Sequence, residues 1–320
     1  MVVMKLKEIY DLAVKMGMEN DPRGKDGVEK VLEKNKEKYE ELEGKDKEVF
    51  DEQSLENPFE DSRLLYGDPD KEVKRVLAGI DITTGEVLLA DRLSEKGKGI
   101  DLIIGHHPRG GGLTGLPGVM QLQKDVLNEW GVPITVAESL IDERITEVRR
   151  KVRGSNYNQS IDAARLMDMP FMCIHTPADN LVNEYLKDLV GDSDVENVKD
   201  VIDLLKDVPE YHEARKYGSG PGVLVGKEDN KAGKVVPEMT GGTEGSKESY
   251  EKLAQSGVGT IIGMHLSDEH RKKVEESRIN YIIAGHMSSD SIGLNLFLDE
   301  LEKNGVEIIP CSGFIRHSRN

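Results

Sequence analysis

The sequence predicts an α/β protein with largely parallel or mixed sheets, helices on the sheet faces and an N-terminal helical extension. Three observations carry that expectation. The chain has 320 residues, 37% of them apolar, which is enough for two ordinary domains with buried cores. From Val73 onward, short Val- and Ile-rich runs alternate with amphipathic helical segments, the rhythm of βαβ units. Before that point the apolar residues are sparse, fall at helical spacings and sit among charges.

Residues 4–18 place Leu6, Ile9, Leu12, Ala13 and Met16 on one stripe and predict a helix. Val28, Val31, Leu32, Tyr39 and Leu42 lie within a Lys/Glu-rich segment from about 23 to 52, which predicts an exposed amphipathic helix or pair with a solvated charged face. Together these form the expected extension, residues 1–70. The first α/β lobe, residues 71–215, opens with a strand in KEVKRVLAGIDIT, a helix in TGEVLLADRLSEKG and a buried strand in IDLIIGHHP. The Gly-rich run HPRGGGLTGLPG matches no P-loop and is read as a flexible loop. Helices follow near 118–129, 137–153 and 156–168, then a strand in FMCIH, then helices near 178–190 and 196–206.

The run YGSGPG at 217–222 marks a boundary, and residues 216–320 form the second α/β segment. There PGVLVG and GKVVPEM are expected to pair as an antiparallel hairpin across KEDNKA. The alternation then resumes with a strand in GVGTIIGMH, a helix in SDEHRKKVEES and a strand in INYIIAGH. SSDSIGLNLFLDELEKNG predicts a helix closed by Gly305, and VEIIP a last strand.

Sixty acidic residues against 43 basic ones give a formal net charge of -17. That disfavours long-range attraction to nucleic acid or an anionic membrane. The N-terminus interleaves charge with short apolar steps, unlike a signal peptide, and no run approaches the roughly 18 to 20 apolar residues that span a bilayer. Two cysteines, Cys173 and Cys311, lie far apart outside any C-x-x-C pair, so neither a disulfide framework nor a thiolate zinc site is indicated. A cytoplasmic protein is expected.

Four apolar strands end in LIIGHH, FMCIH, TIIGMH and YIIAGH, which uses five of the eight histidines: His106, His107, His175, His265 and His286. Ligands of open α/β sheets bind outside the carboxyl ends of the strands, so these imidazoles can converge on one crevice. His106 and His107 are adjacent and point opposite ways in an extended chain, an arrangement that serves two ions better than one. Pro108 biases His107 towards extended geometry and ends the strand there. His286 and Asp290 share a helical face at i, i+4. Asp179 follows His175 by four residues; its bland reading is the N-cap of LVNEYLKDL. Cys173 reads as a small buried hydrophobe. Imidazoles and carboxylates without thiolates suit zinc, manganese, iron or cobalt. Two such ions about 3.5 to 4 Å apart would acidify a shared water and stabilise developing charge on a substrate. TGGTEGS and YGSGPG lack the strand, G-x-G-x-x-G, helix order of dinucleotide binding.

IDLIIGHHP, CIHTPADN and AGHMSSD resemble, in order, the three metal motifs of the Nif-three-like family, also catalogued as GTP cyclohydrolase I type 2 homologues. The resemblance covers roughly residues 73–188 and 255–320. It implies two α/β domains facing a metal cleft and assembly into ring-like hexamers, with the first 70 residues, outside the match, capping or extending the oligomer. It makes His106 and His107 the paired histidine ligands, Asp179 the bridging aspartate, His286 the late histidine and Asp290 the last carboxylate, where the family usually has glutamate. Met264 stands where an acidic residue is common, so His175 and His265 are assigned to proton transfer or to supporting the ligands. The implied activity is metal-dependent hydrolysis of a small anionic molecule: a nucleotide, a phosphoester or a purine ring. The alternative is a metal-binding regulatory or assembly protein without turnover.

Overall fold

The computed structural model describes residues 3–320. A two-residue strand β1 (Met4–Lys5) leads into α1 (Leu6–Glu19), followed by α2 (Gly24–Glu41) and α3 (Gly44–Glu48). The expected amphipathic segment is thus a pair of helices. On α2 only Val28 is buried, so its charges form a solvated face. A one-turn 3-10 helix (Glu52–Leu55) precedes β2 (Arg63–Tyr66), β3 (Glu72–Val73) and β4 (Arg75–Gly79). Helix α4 (Thr84–Glu95) starts where the Thr83 hydroxyl accepts from Gly85 N and Glu86 accepts from Thr83 N, a capping box written in the sequence.

The chain continues through β5 (Leu102–Gly105), α5 (Gly110–Val119), α6 (Leu122–Glu129), α7 (Ile134–Val152), α8 (Gln159–Leu166) and β6 (Phe171–Cys173). Helices α9 (Thr176–Gly191), α10 (Val198–Asp207) and α11 (Pro209–Arg215) come next. The remainder comprises β7 (Gly222–Val225), β8 (Lys234–Glu238), α12 (Ser249–Gln255), β9 (Val258–Gly263), α13 (Asp268–Ser277), β10 (Asn280–Ile283), α14 (His286–Lys303) and β11 (Glu307–Cys311).

Two mixed sheets result. The first has the order β11-β4-β5-β6-β2, parallel except for β2; the second has the order β7-β10-β9-β8, parallel except for β7. Residues 63–66 and 307–311 therefore supply the two edges of the first sheet, from either side of the stretch expected to build it. Strands β1 and β3 form a small antiparallel pair.

The expected hairpin does not form, because β7 and β8 lie on opposite edges of the second sheet. The turn between them is a crossover. It is pinned beneath the other strands where Thr260 Oγ1 donates to Ala232 O (2.7 Å) and Asn230 Nδ2 donates to Asn280 Oδ1 (2.7 Å). The Gly-rich run expected as a flexible loop is mostly helix α5. Its glycines are poor helix formers, yet a Cβ on Gly115 or Gly118 would collide with Glu60. Close packing against residues 60–61 outweighs the propensity.

The N-terminal helix is not peripheral. Leu6, Ile9, Tyr10 and Ala13 belong to the core beneath the first sheet, together with Ala178, Leu181, Leu294 and Phe297. The core of the second sheet takes Val182 and Leu186 from α9 and Ile292 from α14. Helices α9 and α14 thus run between the sheets and serve both. They approach so closely that a Cβ on Gly293 would meet the carbonyl oxygen of Ala178. No helix among the described residues is long and apolar enough to cross a membrane.

Candidate metal centre

The strand register delivers the first two histidines. Beyond β5, His106 N and His107 N still donate to Gly79 O and Ile80 O, each at 2.9 Å. The chain bends at both residues, and the two rings lie near one another with centroids 5.3 Å apart, in place of the opposite directions expected of an extended pair. Their Nδ1 atoms are engaged: His106 donates to Ile174 O (3.1 Å) and His107 to Asp81 Oδ1 (3.0 Å). His175 does the same, donating Nδ1–H to Asp61 Oδ2 at 2.7 Å. In each ring the outer partner leaves Nε2 for the crevice, the usual way a histidine is prepared for a cation or a proton.

Helix α14 begins at His286 directly after Gly285, whose φ of +111° suits glycine. One turn later Asp290 stands fully inside. Its Oδ1 is 3.5 Å from His106 Nε2, and its Oδ2 is 3.4 Å from both His107 Nε2 and His286 Nε2. Asp179 lies in the first turn of α9, not at its cap, with Oδ1 3.4 Å from His106 Nε2. Two three-donor groups follow: His106, Asp179 and Asp290, and His107, His286 and Asp290. The carboxylate that spans them is Asp290, whereas the family resemblance gives that role to Asp179. A third grouping, His106 with His107 and His175, overlaps them.

The chemistry of this set fits a cation. His106 Nε2 and both Asp290 oxygens are buried with no hydrogen-bond partner, a costly arrangement that a metal ion resolves. Donors about 3.4 Å apart are also what a tetrahedral ion with bonds of about 2.1 Å requires. The buried His and Asp groups can therefore hold a metal ion. In the protein alone the neighbouring carboxylates favour the charged forms of His106 and His107 instead. Burial opposes charge on His106, but Asp290 and Asp179 outweigh it and hold its pKa well above the ordinary value. Burial likewise opposes charge on Asp290, and the imidazoles of His106 and His107 overcome it and push its carboxyl far down.

His175 Nε2 lies 3.8 Å from Asp179 Oδ2. His265 is half exposed and outside these donor groups; its ring lies 4.8 Å from that of His286, and its Nδ1 lies 3.4 Å from Glu244 Oε1. Three carboxylates that sequence reasoning missed thus support the cluster: Asp61, Asp81 and Glu244. Asp81 closes the strand end GID and was readable by the logic applied to the histidines. Asp61 gave no signal, because it falls in the segment set aside as an extension.

A cavity of about 320 Å³ opens from the cluster. His107, His175, Asp179, His286 and Asp290 face one part of it; Leu113, Leu116, Leu127, Trp130 and Ile141 line another, and Glu238, Glu244, Gln123 and Arg109 add polar groups.

A two-lobed α/β fold that gathers imidazoles and carboxylates where the strands end defines a class of possible metal-binding proteins. No protein-family model matches the chain, and no curated protein matches it. Among solved structures, a NIF3 superfamily protein from Sphaerobacter thermophilus is similar with a TM-score of 0.77 and 26% identity, covering 98% of this chain and 100% of that one. Reduced HcgD from Methanocaldococcus jannaschii is similar in fold, with a TM-score of 0.50 and 19% identity over 77% of this chain and 87% of that one. This likeness supports a Nif3-like family assignment for the chain. The breadth of the first match brings the N-terminal helices, which lay outside the sequence resemblance, within the shared architecture.

Proposed function

We propose that the protein holds two divalent ions, one with His106, Asp179 and Asp290 and the other with His107, His286 and Asp290, and hydrolyses a small molecule in the adjoining cavity. The observation that carries this reading is the sharing of Asp290, one oxygen to each donor group. Zinc, manganese, iron and cobalt all suit the nitrogen and oxygen donors. When bound, such a pair supplies Lewis acidity and lowers the pKa of water.

The chain's own groups divide the remaining work. Asp61 fixes the tautomer of His175, so that Nε2 can hold or pass a proton beside Asp179. Glu244 does so for His265 on the side of His286. Arg109, held by Asp81 Oδ1 at 3.1 Å, sets a fixed positive charge at the cavity wall. The leucines and Trp130 limit water. Bound cations reverse the local charge, so a nucleotide, a phosphoester or a purine ring becomes acceptable to an acidic chain.

Purified protein loaded with manganese or zinc is expected to turn over a member of these classes, and Asp290→Asn to abolish it. Tight metal binding with no turnover across a broad panel would leave the non-catalytic regulatory or assembly role. We further propose self-association. Leu88 and Leu89 on α4 and Leu166 on α8, two helices that pack together, are 42%, 42% and 80% exposed, and native mass measurement tests it. Truncating the N-terminus does not, because α1 is part of the core.

A further inference from the structure

The part of the cavity nearest β8 has a chemistry of its own. Glu238 ends β8, which lies two strands from β10, the strand that leads to His286. Glu238 and Ile283 both pair with Gly263, from either side, so at about 4.8 Å per strand the two strand ends are roughly 10 Å apart, the span of a fused ring with a substituent. The Glu238 carboxylate accepts from Tyr281 Oη (3.3 Å) and Tyr250 Oη (3.4 Å). The charged groups that act on it most are Glu244 and His265. Gln123, 7% exposed, donates Nε2–H to Gly241 O (2.7 Å) and Thr243 O (2.6 Å). That fixes its amide and leaves Oε1 buried without a partner at the cavity lining.

We propose that this region is a recognition site for a planar, N–H-rich nitrogen heterocycle of the amino or amidine type. Its donor edge meets Glu238 and the Gln123 oxygen, and its faces lie against Trp130 and the neighbouring leucines. The inference rests on the reading that the cavity takes the substrate, and it sets the orientation. Acceptors at this end reject an anionic group, so any phosphate or other reacting group lies at the end of Arg109 and the metal-binding residues. Burial pushes the Glu238 carboxyl up to about 7, so near neutral pH it is ready to take charge when a donor arrives. A ring lacking N–H groups would leave buried acceptors unpaired, the strongest kind of discrimination a polar pocket offers.

Trp130 is the one tryptophan of the chain and lines the cavity, so its fluorescence reports occupancy directly. The full metal-loaded chain is titrated with 2-aminobenzimidazole, with 2-methylbenzothiazole as a donor-free ring of similar shape, and with 2-naphthoate as an anion. Saturable quenching by 2-aminobenzimidazole, about tenfold or more tighter than by the other two, is expected. Glu238→Gln should weaken it about tenfold, the scale of a lost hydrogen bond to a charged acceptor, with metal content unchanged. Gln123→Leu is a second, independent variant expected to weaken it. Equal affinity for the donor-free ring, indifference to Glu238→Gln and Gln123→Leu, or no saturable quenching overturns the assignment. If these fail while metal-dependent turnover stands, this inference falls alone. If ring discrimination holds and turnover is absent, the hydrolase reading falls instead.

Discussion

Replacing Asp290 by asparagine keeps the shape of the side chain and removes an anionic charge from the point where both donor groups meet. Its two oxygens face His106, His107 and His286 at 3.4–3.5 Å, and the carboxylate is fully buried. Without metal, His106 and His107 would lose the partner that favours their charged forms, and breaking such a buried pair costs about 3–5 kcal/mol. At about 2–4 °C per kcal/mol, the unfolding midpoint should fall by roughly 10 °C. The pH window has a defined sign. The depressed Asp290 carboxyl contributes stability above the ordinary carboxylate range and loses it as pH falls; the raised His106 contributes below the ordinary imidazole range and loses it as pH rises. The deficit of the variant is therefore greatest at mildly acidic pH. With metal, both sites lose a donor, so each affinity should drop by more than the roughly 10–100-fold typical of an outer partner. His286→Ala should weaken only one. Calorimetric titration with manganese, combined with elemental analysis, reads both stoichiometries. Retention of one tight ion by Asp290→Asn would refute the shared carboxylate.

Gly293→Ala gains about 1 kcal/mol of helix propensity, but its methyl group would collide with Ala178 O. A net loss of about 1–3 kcal/mol and looser metal binding are expected from chemical denaturation and metal titration. Because burial raises the Glu238 carboxyl to about 7, the stability it lends is complete below about 4.5 and declines as pH rises to about 7. Wild type should thus lose ground to Glu238→Gln across that interval and run parallel to it above, in denaturation curves at stepped pH. Burial raises the Cys173 and Cys311 thiols to about 11 and 12, so native protein at pH 8 should react with a thiol-specific reagent far more slowly than denatured protein.

Much of this geometry is legible in the sequence because it depends on local periodicity. An apolar strand that ends in histidine says where the imidazole emerges, and His286 with Asp290 needs only the helical repeat. What the sequence does not disclose is which carboxylate lies between the groups, since that depends on β5 and α14 meeting across 180 residues of chain. Asp61 is hidden for a similar reason: its partner, His175, lies 114 positions away. The misplaced hairpin shows that alternation identifies a strand without identifying its neighbour. Helix α5 shows the converse, a segment whose glycines argue against a helix until the surface of residues 60–61 is in place.

The packing of α9 against α14 also bears on how far the two lobes can move apart. Since both helices belong to the cores under each sheet, parting the lobes like a jaw would strip apolar surface from two interiors at once. The shared helices therefore tie the imidazoles and carboxylates borne by the two lobes to a fixed spacing.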